Sequence, residues 1–566
     1  MNIADALYRQ AVARPQQNAA LEPDGRGGYR CLTFGELWDR VARIAAALPS
    51  RGITPGTRTV LMVPPSMAFV ELTFALFAAR AVPVFVDPGI GLKHLKACLA
   101  EAEPAAFVGI TKAHVARMLF GWARSSVKSL VTVGPRLLWG GTTLDRLRQE
   151  PPGDVVDSLA ATRSDDIAAI LFTSGSTGVP KGAVYSHGMF NAQLESLRYV
   201  FHIEPGEVDL CTFPLFALFG PALGMTSIIP EMDSTRPAGV EPRNITGPAC
   251  RFAATNLFGS PALLNRVGRH SFGAPEAVRH PGDSRDALRS LKRVLSAGAP
   301  VSPAILERFS KLLSPGTQIY TPYGATEALP VAVIGSEEVL GETRHKTAAG
   351  AGTCVGKPVP GIEVRIIRIS DEPIPTMTPD LVLPPGEIGE IAVYGPQVTQ
   401  EYFRRPDLTA LAKIADPERG RKWHRMGDVG TFDDQGRLWF CGRKSQRVVT
   451  RERTYFTEPV EGVFNTHPAV FRTALVGVKR NGVTEPVLCV ELEKAANPPA
   501  SAEITRDLLA LGAQYEVTRD VRTILYHDGF PVDIRHNSKI FREKLAEWAT
   551  QRLREFDNDV RRSNEP

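Results

Sequence analysis

A run of hydroxyl residues and glycines follows an apolar segment and could bind a polyphosphate. It comprises Thr173, Ser174, Gly175, Ser176, Thr177 and Gly178, and Lys181 follows three residues later. Glycines let backbone N–H groups turn toward an anion, hydroxyls add neutral donors, and a lysine supplies a positive charge. The run is not a Walker P-loop, because its lysine follows a proline. A flexible linker is the alternative reading, but linkers do not normally end a buried strand.

Four further motifs follow along the chain. They are Thr321–Glu327 (TPYGATE), Trp423–Asp428 (WHRMGD), the pair Gly442 and Arg443, and Asn537–Ile540 (NSKI). Together with the run at 173–178, which we call the phosphate loop, they resemble motifs of the adenylate-forming superfamily of acyl-CoA synthetases, peptide synthetase adenylation domains and luciferases. The resemblance extends over essentially the whole chain. It implies that ATP activates a carboxylate and that pyrophosphate is released.

The resemblance implies three catalytic residues. Thr326 would hydrogen-bond the phosphate, and Glu327 would hold Mg²⁺, a hard cation that prefers oxygen ligands. Lys539 would bridge the attacking carboxylate and the α-phosphate. Two anions meet in this reaction, so the site must neutralise their charge.

The resemblance also implies a set of residues that bind the nucleoside. Asp428 would accept hydrogen bonds from the ribose hydroxyls, with Arg443 nearby. Tyr323, followed by Gly324, would stack on adenine. The adenine pocket would include the turn formed by Gly298, Ala299 and Pro300.

The sequence departs from the thioester-forming members of the superfamily at three places. Those members usually place a histidine where this chain has Ala217, next to Phe216. After the hinge those members carry a glycine-containing loop, where this chain has Glu452 and Arg453. At the hinge position itself this chain has Ser445. Charged side chains in place of glycine would narrow a passage for a thiol. We therefore expect no external thiol, and we expect Phe216 and Ala217 to line the acyl pocket.

Three longer runs resemble one branch of the superfamily, the β-lactone-forming enzymes of bacterial long-chain olefin biosynthesis. They are residues 83–91, 209–221 and 530–539. The resemblance implies a 2-alkyl-3-hydroxy fatty acid whose 3-hydroxyl attacks its own acyl-adenylate, giving a β-lactone and AMP. His187, His424 and His536 are candidates for accepting the hydroxyl proton. A long-chain fatty-acid CoA ligase and an inactive nucleotide-binding scaffold subunit are the alternatives.

Regular elements must position these residues. Residues 59–63, 69–79 and 82–86 predict a strand, a helix and a strand, the alternation of a parallel sheet with crossover helices. Residues 361–440 alternate between apolar and polar, which predicts half-buried antiparallel strands. We expect an α/β fold with a large amino-terminal domain, residues 1–442, of parallel-rich sheets, helices and a small β-barrel-like part. A small, mobile α+β domain would follow over residues 443–566.

Composition excludes several classes of protein. The 66 basic and 61 acidic residues nearly balance without a basic tract, so nucleic acid is not an expected partner. The seven cysteines never form C-x-x-C, which predicts reduced thiols in a cytoplasmic protein. Charged residues interrupt the most apolar stretch, so no transmembrane segment is expected. The expected partners are a long-chain 3-hydroxy acid and, by resemblance, other enzymes of the olefin pathway.

Overall fold

Two large β-sheets, two small ones and their helices make up the described part of the protein. A computed structural model describes residues 1–87, 90–153, 155–173, 180–213, 216–270, 282, 284, 286–480, 482–494, 500–532 and 540–563. Among these residues the α-helices are α1 (Ala4–Ala13), α2 (Phe34–Ala47), α3 (Met67–Ala78), α4 (Leu92–Ala102), α5 (Thr111–Phe120), α6 (Leu144–Arg148), α7 (Val156–Ala160), α8 (His187–Phe201), α9 (Phe216–Leu223), α10 (Arg243–Arg251), α11 (Pro261–Gly268), α12 (Pro303–Ser310), α13 (Ser336–Glu338), α14 (Arg344–Ala348), α15 (Pro406–Ala412), α16 (Thr457–Phe464), α17 (Ser501–Gly512) and α18 (Arg542–Ser563).

The strands of the described residues alternate with these helices in the first half of the chain. They are β1 (Asn18–Pro23), β2 (Tyr29–Thr33), β3 (Arg58–Met62), β4 (Val82–Val86), β5 (Ala106–Ile110), β6 (Ser129–Val133), β7 (Thr142–Thr143), β8 (Ile167–Thr173), β9 (Lys181–Ser186), β10 (Val208–Cys211), β11 (Thr226–Ile228), β12 (Asn256–Phe258), β13 (Arg293–Leu295), β14 (Gln318–Ala325), β15 (Ala328–Gly335), β16 (Thr353–Pro358), β17 (Glu363–Ile367), β18 (Gly389–Tyr394), β19 (Lys413–Asp416), β20 (Arg421–Phe432), β21 (Leu438–Arg443), β22 (Val448–Val449), β23 (Thr454–Tyr455), β24 (Val470–Arg480), β25 (Val483–Leu492) and β26 (Thr523–Tyr526).

The first sheet has the strand order β7-β6-β5-β3-β4-β8-β9. All of its pairs are parallel except β8 with β9. Its central strands are short and apolar because helices cover both faces. The phosphate loop follows β8, which has β4 on one side and the edge strand β9 on the other. It therefore begins at the carboxyl end of an interior strand, where ligand sites of open parallel sheets occur.

Helix α3 is buried almost entirely and forms part of the core beside this sheet. It begins after Ser66, whose hydroxyl accepts a hydrogen bond from the Phe69 N–H group at 3.2 Å. Its buried charge, Glu71, pairs with Arg40 of α2 and Arg148 of α6. The helix is therefore anchored at its start and along its buried side.

The second sheet has the strand order β17-β18-β20-β21-β16-β15-β14-β13-β12-β10-β11-β1-β2, and β19 pairs with β20. Strands β10 to β14 form its parallel part, and β14 to β21 form its antiparallel part. The TPYGATE motif occupies the end of β14 and the turn into β15. The motif WHRMGD lies on β20, which pairs with β21 so that Asp428 faces Arg443.

The carboxy-terminal part of the chain forms separate sheets. Strands β24, β25 and β26 make one sheet, and β22 and β23 make a short hairpin. Helices α16, α17 and α18 pack with apolar residues of this part. Strand β21 is the last strand of the large sheet along the chain, and it ends at Arg443. The domain boundary expected there and the mobility of the carboxy-terminal domain stay predictions.

The local patterns of the sequence predicted the regular elements well. The strand, helix and strand expected at 59–86 are β3, α3 and β4, and the alternating residues after 361 form antiparallel strands. All seven cysteines are free thiols, five of them buried. Within the described residues, every helix is too short or too polar to cross a lipid bilayer.

Candidate active site

A cavity of about 1250 Å³ opens where the carboxyl ends of the first sheet face the second sheet. Its wall includes residues of both sheets and of the β14–β15 turn, among them Lys181, Gly298, Gly324, Thr326, Glu327, His424 and Arg443. Three of the sequence motifs therefore contribute to one cavity, together with the lysine that follows the phosphate loop.

Strand pairing brings together the residues expected to bind the nucleoside. Asp428 and Arg443 face each other across β20 and β21, with Arg443 Nη1 2.8 Å from Asp428 Oδ1. The Tyr323 hydroxyl donates a hydrogen bond to Asp428 Oδ2 at 2.7 Å. Burial raises the pKa of Asp428, and the Arg443 charge opposes that rise. Tyr323 is thus held by Asp428, while its expected stacking on adenine stays a prediction.

Asp428 is buried next to the cavity wall. Its neighbour Gly427 and its partner Arg443 line the cavity, whereas Asp428 and Tyr323 do not. The buried Oδ1 atom of Asp428 already faces the Arg443 guanidinium. Its expected hydrogen bonds to the ribose hydroxyls therefore stay a prediction.

Close backbone approach fixes the shape of the TPYGATE turn. A Cβ atom at Gly324 would lie 2.5 Å from the Ala328 carbonyl oxygen, so only glycine fits there. The Thr326 carbonyl accepts a hydrogen bond from the Tyr185 hydroxyl, and the Thr399 N–H group donates to the Glu327 carbonyl at 2.9 Å. Thr326 and Glu327 are thereby held at the cavity wall.

Glu327 lies within a group of buried polar side chains that the sequence did not reveal. The Tyr402 hydroxyl donates to Glu327 Oε1 at 2.6 Å. Lys181 Nζ lies 5.2 Å from the centre of the Tyr402 ring, and Lys413 Nζ lies 5.8 Å from it. Burial lowers the pKa of Lys181, and it lowers that of Lys413 to about 7. Two lysine amines, both with lowered pKa values, therefore accompany the one carboxylate.

Lys413 and Tyr402 gave no signal in the sequence, because a single lysine or tyrosine is usually a surface or core residue. Lys413 is 4% exposed, and its Nζ atom donates to Thr399 Oγ1 at 3.0 Å. It opens β19, whose pairing with β20 places it opposite His424.

The two described histidines among the proton-acceptor candidates have different surroundings. His187 Nδ1 accepts a hydrogen bond from the Ile3 N–H group at 3.2 Å, and the residue does not line the cavity. His424 lines the cavity, and its Nδ1 is 3.2 Å from the Ala412 carbonyl oxygen. A carbonyl only accepts, so the proton sits on Nδ1 and Nε2 carries a lone pair. His187 is a structural residue, and His424 keeps the chemistry expected of an acceptor.

Several expected site residues lie outside the described part of the chain. They are Ser174, Gly175, Ser176, Thr177 and Gly178 of the phosphate loop, together with His536 and Lys539. The side chains of Thr173, Phe216 and Ala217 are also outside it, although their backbone lies in β8 and α9. Of the expected adenine turn, Gly298 lines the cavity, and Ala299 and Pro300 follow it outside the lining.

The charged loop that replaces glycine lies away from the cavity in this conformation. Glu452 and Arg453 form the turn between β22 and β23, and neither lines the cavity. Arg453 Nη1 instead donates to the Glu516 carbonyl at 2.9 Å. Ser445, the hinge position, does line the cavity. Narrowing of a thiol passage by this loop therefore stays a prediction.

The model of the AMP-binding enzyme family matches residues 7–403 of the chain. The protein belongs to this family. It is 51% identical over 559 residues to an olefin beta-lactone synthetase from Xanthomonas campestris pv. campestris, covering 97% of this chain and 98% of that one. It is equally similar, over 98% of each chain, to the olefin beta-lactone synthetase of Stenotrophomonas maltophilia.

A solved structure shows the same fold. The amide bond synthetase McbA from Marinactinospora thermotolerans superposes with a TM-score of 0.76 at 23% identity, over 96% of this chain and 99% of that one. The α/β architecture expected from the sequence is confirmed. The match to the AMP-binding enzyme family confirms the resemblance to adenylate-forming enzymes that the sequence motifs indicated.

Proposed function

We propose that the protein uses ATP to activate the carboxyl group of a 2-alkyl-3-hydroxy fatty acid and then closes that acid into a β-lactone. The observation that carries the proposal is the 51% identity, over nearly the whole of both chains, to two olefin beta-lactone synthetases. The long-chain acyl-CoA ligase alternative has weaker support, because the long-chain-fatty-acid–CoA ligase of Escherichia coli is 24% identical over 518 residues.

In the first step, ATP binds with its ribose at Asp428 and its phosphates near Lys181. A carboxylate oxygen of the acid attacks the α-phosphorus, and pyrophosphate leaves with the electrons of the broken P–O bond. Lys181 is partly desolvated, which strengthens its attraction for the developing negative charge. By sequence resemblance, Lys539 bridges the carboxylate and the α-phosphate in this step.

Glu327 is the residue proposed to hold Mg²⁺, which neutralises phosphate charge when bound. Among the described residues no group of three or more His, Cys, Asp or Glu side chains could hold a metal ion. Mg²⁺ bound with a nucleotide usually takes one or two protein carboxylates and fills its remaining positions with phosphate oxygens and water. A single buried carboxylate near Lys181 fits that requirement.

In the second step, the 3-hydroxyl oxygen attacks the acyl carbonyl carbon, and AMP leaves with the electrons of the broken C–O bond. We assign the hydroxyl proton to His424 Nε2. Burial and the Lys413 charge hold the pKa of His424 well below its usual value, so the ring is neutral with a free lone pair. The same two effects make it a weaker base than an ordinary histidine. Holding both reacting groups in one bound molecule can lower the barrier by roughly 7–11 kcal/mol.

A product assay tests this function. The protein is incubated with ATP, Mg²⁺ and a racemic 2-alkyl-3-hydroxy fatty acid, without coenzyme A, and products are identified by infrared and NMR spectroscopy. We expect a β-lactone carbonyl, AMP and pyrophosphate. A thioester that forms only after coenzyme A is added, with no lactone in either reaction, would overturn the proposal.

Two further expectations from the sequence belong to this proposal. The carboxy-terminal part after Arg443 is proposed to move as a small domain that carries Lys539. The protein is also proposed to assemble with other enzymes of the olefin pathway, because a strained lactone is best passed directly to the next enzyme.

A further inference from the structure

The cavity reaches a point of the first sheet where the crossover connections change direction. Strand β3 lies between β5 and β4, so the connection from β3 to β4 runs one way and that from β5 to β6 runs the other. Right-handed crossovers then place α3 and α5 on opposite faces of the sheet. The apolar clusters agree, because α3 packs with one set of buried residues and α4 and α5 with another.

Side chains from both faces of this sheet line the cavity. Successive residues of a strand point to opposite faces. At the ends of β3, β4 and β8, both members of a successive pair are in the cavity wall: Leu61 and Met62, Phe85 and Val86, Leu171 and Phe172. In each pair the first residue packs with the α3 cluster and the second with the α4 and α5 cluster. The cavity therefore passes over the strand ends and touches both faces.

We call the apolar branch on one face the α3 arm, lined by Leu61, Phe74, Phe77, Phe190 and Phe219. The rings of Phe77 and Phe190 lie 5.8 Å apart, and those of Phe190 and Phe219 lie 6.5 Å apart. Tyr185 stacks on Phe190 at 4.6 Å. This wall is aromatic and suits an alkyl chain.

The branch on the other face is the α5 arm, lined by Met62, Val86, Ile110, Ala113 and Phe172. Ala113 is 6% exposed and lies in the first turn of α5, directly after the strand β5 that contributes Ile110. The side chains of this arm are aliphatic apart from Phe172. It too offers an apolar surface to a ligand.

The charged groups of the site lie where the two arms meet. Lys181 begins β9 and pairs with Thr173, one residue beyond Phe172 at the end of β8. Glu327 lies within this region, since its carboxylate accepts a hydrogen bond from the hydroxyl of Tyr402, and Lys181 lies over the ring of the same tyrosine. A carboxylate bound there has one apolar branch on each side. The whole cavity, at about 1250 Å³, exceeds the roughly 300–1,000 Å³ of ordinary ligand pockets.

We propose that the two arms hold the two alkyl chains of one substrate, one chain on each face of the sheet. The proposal rests on the proposed function, which supplies an acid that branches at C2 and continues beyond C3. Both chains diverge from the atoms that react, so an acid anchored in two arms has its hydroxyl and carbonyl groups held together. An acid with a single chain fills only one arm and is held less firmly.

Neighbouring residues of β3 provide a matched test. Leu61→Phe narrows the α3 arm, and Met62→Phe narrows the α5 arm, with the same residue introduced one position apart. Two isomeric racemic acids are compared: 2-decyl-3-hydroxybutanoate, with its long chain on C2, and 2-methyl-3-hydroxytridecanoate, with its long chain beyond C3. The readout is kcat/KM for pyrophosphate release, and lactone formation is measured separately.

We expect opposite changes in selectivity. One variant should lose at least about tenfold in kcat/KM for one isomer, and the other variant should lose as much for the other isomer, since pocket contacts of single methylene groups reach this size. The short acid 2-methyl-3-hydroxybutanoate should be used equally by both variants and the wild type. Equal losses for both isomers in both variants, or no loss in either, would overturn the two-arm proposal.

A second pair of variants keeps the test valid if the first pair misfolds, and thermal unfolding of each variant will detect misfolding. Ala222→Leu on α9 and Ala113→Leu on α5 add the same number of atoms to the two arms, as an aliphatic group instead of an aromatic ring. They should repeat the opposite shifts. Opposite shifts in pyrophosphate release without any lactone would support the arms and reject the proposed function, whereas lactone formation without these shifts would reject the arms alone.

Discussion

His424 offers a neutral imidazole nitrogen to the cavity, and its replacement tests the ring-closing step. In His424→Phe the acceptor for the hydroxyl proton is absent while the ATP-binding residues remain. We expect pyrophosphate release in a single turnover to stay within a few-fold of wild type and lactone formation to fall about 10²- to 10⁴-fold. Rapid-quench measurement of both products separates the two steps.

His114 provides the matched control for this substitution. It is fully buried on α5, with Nε2 3.0 Å from the carbonyl oxygen of Val131 in β6, and it does not line the cavity. His114→Phe should destabilise the protein and leave the ratio of lactone to pyrophosphate unchanged. An unchanged lactone rate in His424→Phe would show that another group accepts the proton.

Asp209 links the stability of the protein to pH. It is 1% exposed and accepts a hydrogen bond from Asn256, and burial raises its pKa from 3.8 to about 7. Between these two values the folded protein keeps a proton that the unfolded chain releases. The contribution of Asp209 to the free energy of unfolding therefore falls as pH rises through this window, by up to about 1.4 kcal/mol per pH unit.

Asp209→Asn should remove that dependence. The free energy of unfolding of the variant minus that of the wild type should increase from pH 5 to pH 7, as measured by urea unfolding at each pH. Asp434→Asn, at an exposed position, controls for the substitution itself. A difference for Asp209→Asn that stays constant across this range would mean that the carboxyl group is ionised in the folded protein.

At the scale of elements, Glu71 fastens α3 to two neighbouring helices. Its Oε1 lies 3.0 Å from Arg40 Nη1, and its Oε2 lies 2.8 Å from Arg148 Nη2. Glu71→Ala should lower the free energy of unfolding by about 3 kcal/mol, because it leaves a cavity and two guanidinium groups without their buried partner. Asp39→Ala breaks only the surface pair with Arg43 on α2 and should cost less than about 1 kcal/mol. Urea unfolding of both variants compares the two, and equal losses would contradict the role given to Glu71.

The elements that the sequence predicted are those whose signal is local. The short apolar runs of β4 and β8 and the longer apolar run of α3 each indicate their secondary structure from a few neighbouring residues. The family resemblance, rather than any local signal, implied that Asp428 and Arg443 both lie near the ribose. The pairing of β20 with β21 places the two residues opposite each other, and their contact with a ribose stays a prediction.

The elements that the sequence could not place are those whose positions depend on distant pairing. Lys413 and His424 become neighbours only when β19 pairs with β20, and Tyr402 reaches Glu327 across 75 positions of the chain. A lysine at the end of a short helix has the same local pattern whether it is exposed or buried. The continuity of the second sheet, from β17 to β2, is equally a long-range property.

At the scale of the whole molecule, the chain after the large sheet is tied to that sheet near the hinge. Lys444 Nζ lies 3.1 Å from Glu390 Oε1 and donates to the Ser370 carbonyl at 2.7 Å. Arg447 Nη2 lies 2.6 Å from Asp371 Oδ2. These contacts lie on both sides of Ser445, so any rotation of the carboxy-terminal part must turn about a segment that is held at the cavity.

Replacing Lys539 tests whether the carboxy-terminal part of the chain supplies a positive charge to the adenylation step. It lies outside the described residues, and its role rests on the resemblance of its motif. Lys539→Ala should lower pyrophosphate release by about 10²- to 10³-fold, because a charge that stabilises the transition state is lost. ATP binding, followed by fluorescence titration, should change little, because Asp428 and Lys181 belong to the large sheets.

Lys544 provides the matched control on the same part of the chain. Its Nζ lies 5.0 Å from the centre of the Phe541 ring, and Lys544→Ala should keep full activity. Near-normal pyrophosphate release by Lys539→Ala would place the bridging charge elsewhere, with Lys413 as the next residue to replace.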